Sequence, residues 1–159
     1  MRYDIEITRS AAIYTAVVRG CVRPAELARF VPAACGEVWS FVRSAGLPRP
    51  GRNLALYGDD HGSVEVGVEV AEPFVGNDRV HCSRLPPGPV AHTVHLGPYP
   101  RLAEAHAALR DWCQAQGHRR TRVSWELYGH WQESWNADPM KIRTDVFHLL
   151  EDKADPPIP

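Results

Sequence analysis

Alternation of apolar and polar positions predicts eight strands along this chain. The clearest lies at residues 63–70, where every second residue is a valine. The predicted strands span residues 3–9, 12–19, 53–57, 63–70, 79–85, 90–96, 123–128 and 142–150. Most of them show one apolar face, so the pattern predicts a sheet that needs a covering layer on that face.

Two further segments carry apolar residues at helical spacing. The first opens at Pro24, a residue suited to a first helical turn, and ends at Gly46. The second follows Pro100 and ends at Gly117, and both glycines suit a left-handed C-terminal cap. Pro32 lies inside the first segment, so it predicts either a kinked helix or a helix that starts after this residue.

The two halves of the chain repeat one pattern. Residues 54–58 read LALYG and residues 125–129 read WELYG. Each stretch lies at the same distance after the glycine that ends the preceding helix, Gly46 or Gly117. The halves therefore align as two copies of a strand–helix–strand–strand unit.

This repeat predicts an α+β fold made by internal duplication. We expect two antiparallel sheets, one for each half, related by a pseudo-twofold axis with a central ligand cleft between their open faces. The expectation is a single domain over residues 1–153, with repeat 1 at about 1–75 and repeat 2 at about 76–153. Residues 154–159 are expected to form a flexible tail.

Glu126 is the position where the two copies differ most in chemistry, because Ala55 occupies the matching place. An acid within an aromatic-rich strand must be solvated, paired or available to a ligand. Alternation sends Glu126 and Tyr128 to one side of the strand and the apolar Trp125 and Leu127 to the other. We expect the apolar side to face the helix, so that Glu126 projects from the open face into the cleft.

Aromatic residues predicted near Glu126 define a candidate binding site. Tyr128 shares its strand face, Tyr57 projects from the matching strand of the first half, and Trp39 and Trp131 are placed to reach the cleft. A carboxylate among ring faces attracts a flat cation through charge and the ring quadrupole together. If the protein is an enzyme, Glu126 and Tyr128 are the expected catalytic residues.

Other chemistry is open to some of these residues and excluded for others. Glu126 has an alternative in which it only forms an ion pair with a neighbour such as Arg143, and the pattern leaves both open. His92 and His95 are three apart on a predicted strand, which sends them to opposite faces, so no metal site is predicted. The sequence contains neither a Gly-x-Ser-x-Gly motif nor a glycine-rich phosphate loop, and no cofactor is expected.

Bulk composition excludes several classes of partner. The formal net charge is −1, from 18 basic and 19 acidic residues, and no helix carries a basic stripe, so no direct contact with nucleic acid is expected. No apolar run approaches the roughly 20 residues that span a bilayer, so no membrane association is expected. The four cysteines lack paired spacing, which favours reduced thiols and the cytoplasm.

Several segments, taken in order, carry a family likeness. They are Gly97-Pro98-Tyr99, the helix ending at Gly117, residues 124–128, Asp138-Pro139 and the strand from Lys141. This ordered set resembles the GyrI-like family, the effector-binding domain that is also fused to bacterial multidrug-responsive transcription activators. The resemblance extends through about residue 150.

The resemblance implies a duplicated α+β fold with a cleft between its halves. Members bind diverse compounds, often cationic or aromatic, and carry a glutamate that matches Glu126; Tyr128 and Tyr57 match aromatic positions. Some stand-alone members resemble hydrolases that open strained cyclopropane rings of DNA-alkylating natural products. Another branch protects DNA gyrase from toxins by protein contact.

We therefore expect a stand-alone protein that binds aromatic or cationic drug-like molecules through Glu126, for sensing, sequestration or resistance. One alternative is a hydrolase in which Glu126 directs water onto an electrophilic cyclopropane. Another is an interaction module of the gyrase-protecting kind. No helix-turn-helix segment precedes the first strand, so DNA binding would require a separate regulator as partner.

Overall fold

The alternating segments form eight strands in a computed structural model, which describes residues 2–59 and 61–152. They are β1 (Glu6–Ser10), β2 (Ile13–Cys21), β3 (Asn53–Tyr57), β4 (Ser63–Glu69), β5 (Val80–Leu85), β6 (Gly88–Leu96), β7 (Arg120–Tyr128) and β8 (Arg143–Leu150). All eight predicted strands are present, with bounds that differ by a few residues. The tail predicted at residues 154–159 lies outside the described residues.

Two long helices cover the sheet, and a short one follows β7. They are α1 (Leu27–Ala45), α2 (Leu102–Gln116) and α3 (Ser134–Ala137). Gly46 and Gly117 cap α1 and α2 with φ of 64° and 75°, as predicted from the glycine positions. Pro32 lies inside α1, so of the two predicted alternatives the one in which the helix starts after this proline is wrong.

The strands of both halves pair into one antiparallel sheet in the order β1-β6-β8-β7-β3-β4-β2-β5. The α+β fold is confirmed, but the predicted two sheets are joined into one because β3 pairs with β7. The first strand of each half crosses to the other half: β1 pairs with β6, and β5 pairs with β2. The order therefore reads symmetrically outward from the β3–β7 junction.

The register of the β3–β7 junction matches the sequence repeat. Ala55 and Glu126, which align in the two copies, are direct cross-strand partners. Leu54 lies opposite Leu127 and Leu56 opposite Trp125 around this central pair. An internal duplication about a twofold axis at this point would give such a register, although the duplication and its boundaries remain predictions.

Both long helices pack on the same face of the sheet. Ala34, Val38 and Val42 of α1 pack against valines of β2 and β4. Leu102, Ala105 and Leu109 of α2 pack with residues of β6 and β8. The central strands β3 and β7 therefore form the bottom of the space between α1 and α2.

The opposite face of the sheet packs on itself. Its cluster consists of strand residues, with Val17 of β2, Leu85 of β5 and Val90 of β6 in contact with Trp125 and Leu127 of β7. Strands from opposite ends of the order can share one cluster only if the sheet is strongly curved. The expectation that Trp125 and Leu127 face a helix is therefore wrong, because sheet curvature supplies their cover instead.

All four cysteines are free thiols. Within the described ranges, 2–59 and 61–152, neither length nor hydropathy gives any helix the character of a membrane span.

Candidate functional site

Strand β7 places Glu126 and Tyr128 on the face of the sheet that the two helices flank. Tyr128 packs against the clusters under α1 and α2 together, and Tyr57 on the neighbouring β3 packs in the first of them. The predicted alternation along β7 is confirmed. These side chains point between the helices, because α1 and α2 lie apart over the outer strands.

A cavity of about 1440 Å³ occupies the space between α1 and α2. Its volume exceeds the usual range for drug-sized ligands, about 300–1,000 Å³. The structure brings all five predicted site residues together in its lining: Glu126, Tyr128, Tyr57, Trp39 and Trp131. The other lining residues include His106, Tyr99, Cys35, Leu27, Val31 and Leu102.

The Glu126 carboxylate lies at the floor of this cavity and is only 4% exposed. Its Oε1 accepts hydrogen bonds from the hydroxyls of Tyr57 at 3.2 Å and Tyr128 at 2.7 Å. Its Oε2 lies 2.7 Å from Nε2 of His106 on α2. The alternative partner Arg143 donates instead to Asp145, at 3.1 Å.

A chain of nitrogen contacts continues from His106 to the edge of the domain. Nδ1 of His106 lies 2.8 Å from Nε2 of His148 on β8, and Nδ1 of His148 lies 3.5 Å from Nη1 of Arg120. A guanidinium can only donate, so it favours an unprotonated Nδ1 on His148 and a proton on its Nε2. That proton is donated to His106 Nδ1, so the N–H that His106 directs at Glu126 is on Nε2.

The titration properties of the surrounding groups agree with this arrangement. Burial, with further lowering by the neighbouring His106, Arg120 and Arg110, brings the pKa of His148 down to about 3, so this ring is neutral at physiological pH. Burial, and then the Glu126 charge, raise the pKa of Tyr57 and of Tyr128 well above the ordinary tyrosine value. Both phenols therefore stay protonated and act as donors to Glu126.

Aromatic side chains form much of the wall above Glu126. Trp39 is held by a 2.7 Å hydrogen bond from Nε1 to Asn53 Oδ1. Tyr99 packs edge-on against Tyr128 with ring centroids 5.5 Å apart. Trp131 is 54% exposed, so it lies at the cavity mouth. The pocket thus combines one buried carboxylate with several accessible ring faces.

Comparison with known protein families identifies the fold and the kind of site. The family model described as "GyrI-like small molecule binding domain" matches residues 3–147. The chain belongs to this family. A search of curated proteins finds no significant match to the sequence.

Solved structures share the fold of this GyrI-like domain at low sequence identity. The C-terminal domain of EcmrR has a TM-score of 0.77 and 19% identity, with 96% of this chain and 100% of that chain covered. SAV2435, in its structure bound to tetraphenylphosphonium, has a TM-score of 0.64 and 12% identity, with 96% and 95% covered. A hydrolase from Listeria innocua has a TM-score of 0.57 and 14% identity, with 92% and 91% covered.

Sequence reasoning missed His106, His148 and Tyr99 as parts of the site. His106 is the one histidine of α2, and its link to Glu126 depends on which face of β7 the helix approaches. The repeat held a usable signal, because His106 occupies the place in α2 that Cys35 occupies in α1, and both residues line the GyrI-like cavity. His148 had no such signal, since its role follows from the β7–β8 register that sets it opposite Ser124.

The histidines of this GyrI-like domain do not assemble into a metal site. Within residues 2–59 and 61–152, no group of three or more His, Cys, Asp or Glu side chains has a suitable arrangement. His92 and His95 contact different partners: His92 lies 3.2 Å from Glu6, and His95 lies 2.9 Å from the Tyr3 hydroxyl.

Proposed function

We propose that this GyrI-like domain binds small organic cations with aromatic or apolar surfaces, and that Glu126 is their anionic partner. The observation that carries the proposal is the environment of this carboxylate. It is buried on the floor of a large cavity, where the neutral hydroxyls of Tyr57 and Tyr128 donate hydrogen bonds to it and Nε2 of His106 lies 2.7 Å away. The two tyrosine hydroxyls hold the carboxylate in place without neutralising its charge.

A cation entering the cavity would supply a countercharge to Glu126. An uncompensated buried charge costs several kcal/mol, and part of that cost is relieved when an opposite charge approaches in a medium of low dielectric. Ring faces of Trp39, Tyr57 and Tyr99 would each add a cation–π contribution of about 0.5–2 kcal/mol. The same surroundings would discriminate against neutral molecules of equal shape.

The comparison with SAV2435 supports this choice of ligand, since that protein has been solved bound to tetraphenylphosphonium, a bulky aromatic cation. We further propose that the domain acts in the cytoplasm, where its free thiols stay reduced, in sensing, sequestration or resistance. Sensing would require a separate regulator that responds to the filled cavity.

Calorimetric titration with tetraphenylphosphonium tests the role of the charge. The neutral analogue triphenylphosphine oxide, which has a similar apolar surface, serves as the matched probe. We expect Glu126→Gln to weaken binding of the cation by at least about tenfold, or 1.4 kcal/mol, and to leave binding of the neutral analogue nearly unchanged. The Gln side chain keeps the size of the site and removes the charge.

Glu104→Gln provides the control, because Glu104 is an exposed residue of α2 that pairs with Arg101 and does not line the cavity. This variant should bind the cation like the wild type. Equal affinity of wild type and Glu126→Gln for tetraphenylphosphonium would contradict the proposal, as would equal affinity of the wild type for the cation and the neutral analogue.

A hydrolase is the second candidate, favoured by the 2.7 Å contact between Glu126 and His106. In that reaction Glu126 would take a proton from water as the hydroxyl adds to a cyclopropane carbon. The strained C–C bond breaks, its electrons pass to a conjugated carbonyl oxygen, and Tyr57 or Tyr128 donates a hydrogen bond to that oxygen. Product formation that disappears in Glu126→Gln while substrate binding survives would favour this reaction over binding alone.

A further inference from the structure

A second cavity, of about 360 Å³, shares the His106 side chain with the large one. Its chemistry is different, because its wall contains Arg110 of α2, Arg120 and Arg122 of β7, and His148 of β8. Arginines from two elements thus converge on one concave site. We call it the basic cavity.

Among the described residues of its lining, the basic cavity holds more arginines than carboxylates. Arg122 has a partner of its own, so the positive charge of interest is that of Arg110 and Arg120, and the described lining contributes one carboxylate, that of Asp59. Asp59 Oδ1 already accepts hydrogen bonds from the backbone N–H groups of His61 at 2.8 Å and Ser63 at 3.2 Å. Arg120 contacts His148, a neutral ring that offers no countercharge.

His148 lies beside these arginines. Burial, with further lowering by His106, Arg120 and Arg110, brings the pKa of this ring down to about 3. An excess of positive charge around a cavity raises the local concentration of anions. Guanidinium groups also match the oxygens of phosphate and carboxylate, to which they can donate two hydrogen bonds each.

Comparison of the two halves shows that this basic character is specific to the second one. Arg110 holds the place in α2 that Trp39 holds in α1, since each lies the same distance before its cap glycine. Trp39 lines the large cavity, whereas Arg110 lines the basic one. The first half therefore has the indole ring of Trp39 at the position where the second half has the guanidinium group of Arg110.

We infer that the basic cavity binds a small oxyanion, a phosphate or carboxylate group, held by Arg110 and Arg120. His106, shared by both walls, places this anion site next to the site of Glu126. The volume exceeds that of a single ion, so the group can belong to a larger molecule. This inference is independent of the organic-cation proposal.

Titration of inorganic phosphate followed by NMR tests the inference, with ionic strength held constant by sodium chloride. We expect saturable shifts of the arginine Nε–H and His148 ring signals, with one anion bound per chain. Arg110→Gln and Arg120→Gln should each weaken binding by at least about tenfold. Both residues are exposed, so neither change should unfold the protein.

Arg101→Gln is the control, since Arg101 is an exposed arginine that pairs with Glu104 and does not line the basic cavity. A parallel titration with acetate tells whether the site accepts carboxylates as well as phosphate. The inference is overturned if neither anion gives saturable shifts, or if Arg120→Gln and Arg101→Gln bind phosphate equally well. Glu126→Gln should retain phosphate binding, which separates failure here from failure of the organic-cation proposal.

Discussion

At the scale of single residues, the site depends on the direction in which protons are donated. Arg120 orients His148, His148 orients His106, and His106 donates to Glu126, each step following from the donor before it. Two tyrosine hydroxyls complete the set of donors to the carboxylate. Glu126 therefore has a fixed orientation before any ligand enters, which reduces the entropy lost on binding.

His148 makes the stability of the fold depend on pH in a defined direction. Its pKa is about 3 in the folded state, whereas an unfolded histidine has a value of about 6.5. Between these values the unfolded chain binds a proton that the folded ring does not, so acidification favours unfolding. This contribution to stability is complete above about pH 6.5 and is lost as the pH falls toward 3.

Replacement of this ring should remove that contribution. Acidification from pH 7 to pH 5 should lower the free energy of unfolding of the wild type by about 2 kcal/mol more than that of His148→Gln, as measured by urea denaturation. An NMR titration of the histidine rings provides the check, and a His148 signal that titrates near pH 6.5 in the folded protein would contradict the expectation.

At the scale of elements, close contact between neighbouring backbones limits which residues fit in the sheet. Gly67 of β4 lies against β2, and a Cβ atom there would collide with the Ala16 carbonyl oxygen and lie 2.9 Å from Val17 Cα. Backbone atoms cannot move aside as a flexible side chain can. This strand position therefore requires glycine for space, not for an unusual φ.

The same substitution at two glycines should have opposite effects. Gly67→Ala is expected to lower the free energy of unfolding by about 3 kcal/mol, because strand β4 must shift away from β2. Gly36 is exposed in α1, and an added Cβ meets nothing within 4 Å, so Gly36→Ala should raise stability by about 0.5–1 kcal/mol. Urea denaturation of both variants gives the comparison, and a neutral Gly67→Ala would disprove the clash.

Prediction from sequence succeeded for features that local chemistry determines. The cap glycines, the alternation of Glu126 and Tyr128 along β7, and the α+β class follow from spacing and residue type. The side of the sheet on which the helices lie does not follow from spacing and residue type, because either a helix or a curved sheet can cover the apolar face of β7. Because that choice depends on distant strands, the contact of His106 with Glu126 was not foreseen.

At the scale of the whole molecule, each half contributes an outer strand that pairs with a strand of the other half. β1 of the first half pairs with β6, and β5 of the second half pairs with β2, while β3 and β7 join the halves at the centre. Neither half can satisfy these backbone hydrogen bonds alone. The large cavity likewise takes its walls from α1 and α2 together.

Division of the chain between Val75 and Gly76 tests this dependence. Val75 is 93% exposed, so the cut removes little packing. We expect each fragment alone to lack a cooperative unfolding transition by circular dichroism, and the two expressed together to co-purify and restore that transition. A fragment that folds cooperatively by itself would show that the exchanged strands are dispensable.

The pairing of Ala55 with Glu126 bears on how such a site can arise in evolution. A homodimer of one half, joined by the same strand exchange, would place identical residues opposite each other at its symmetry axis. Two glutamates there would repel each other, and two alanines would leave no charge. In one chain that contains both halves the two positions can differ, so a single carboxylate can occupy the centre of the β3–β7 junction.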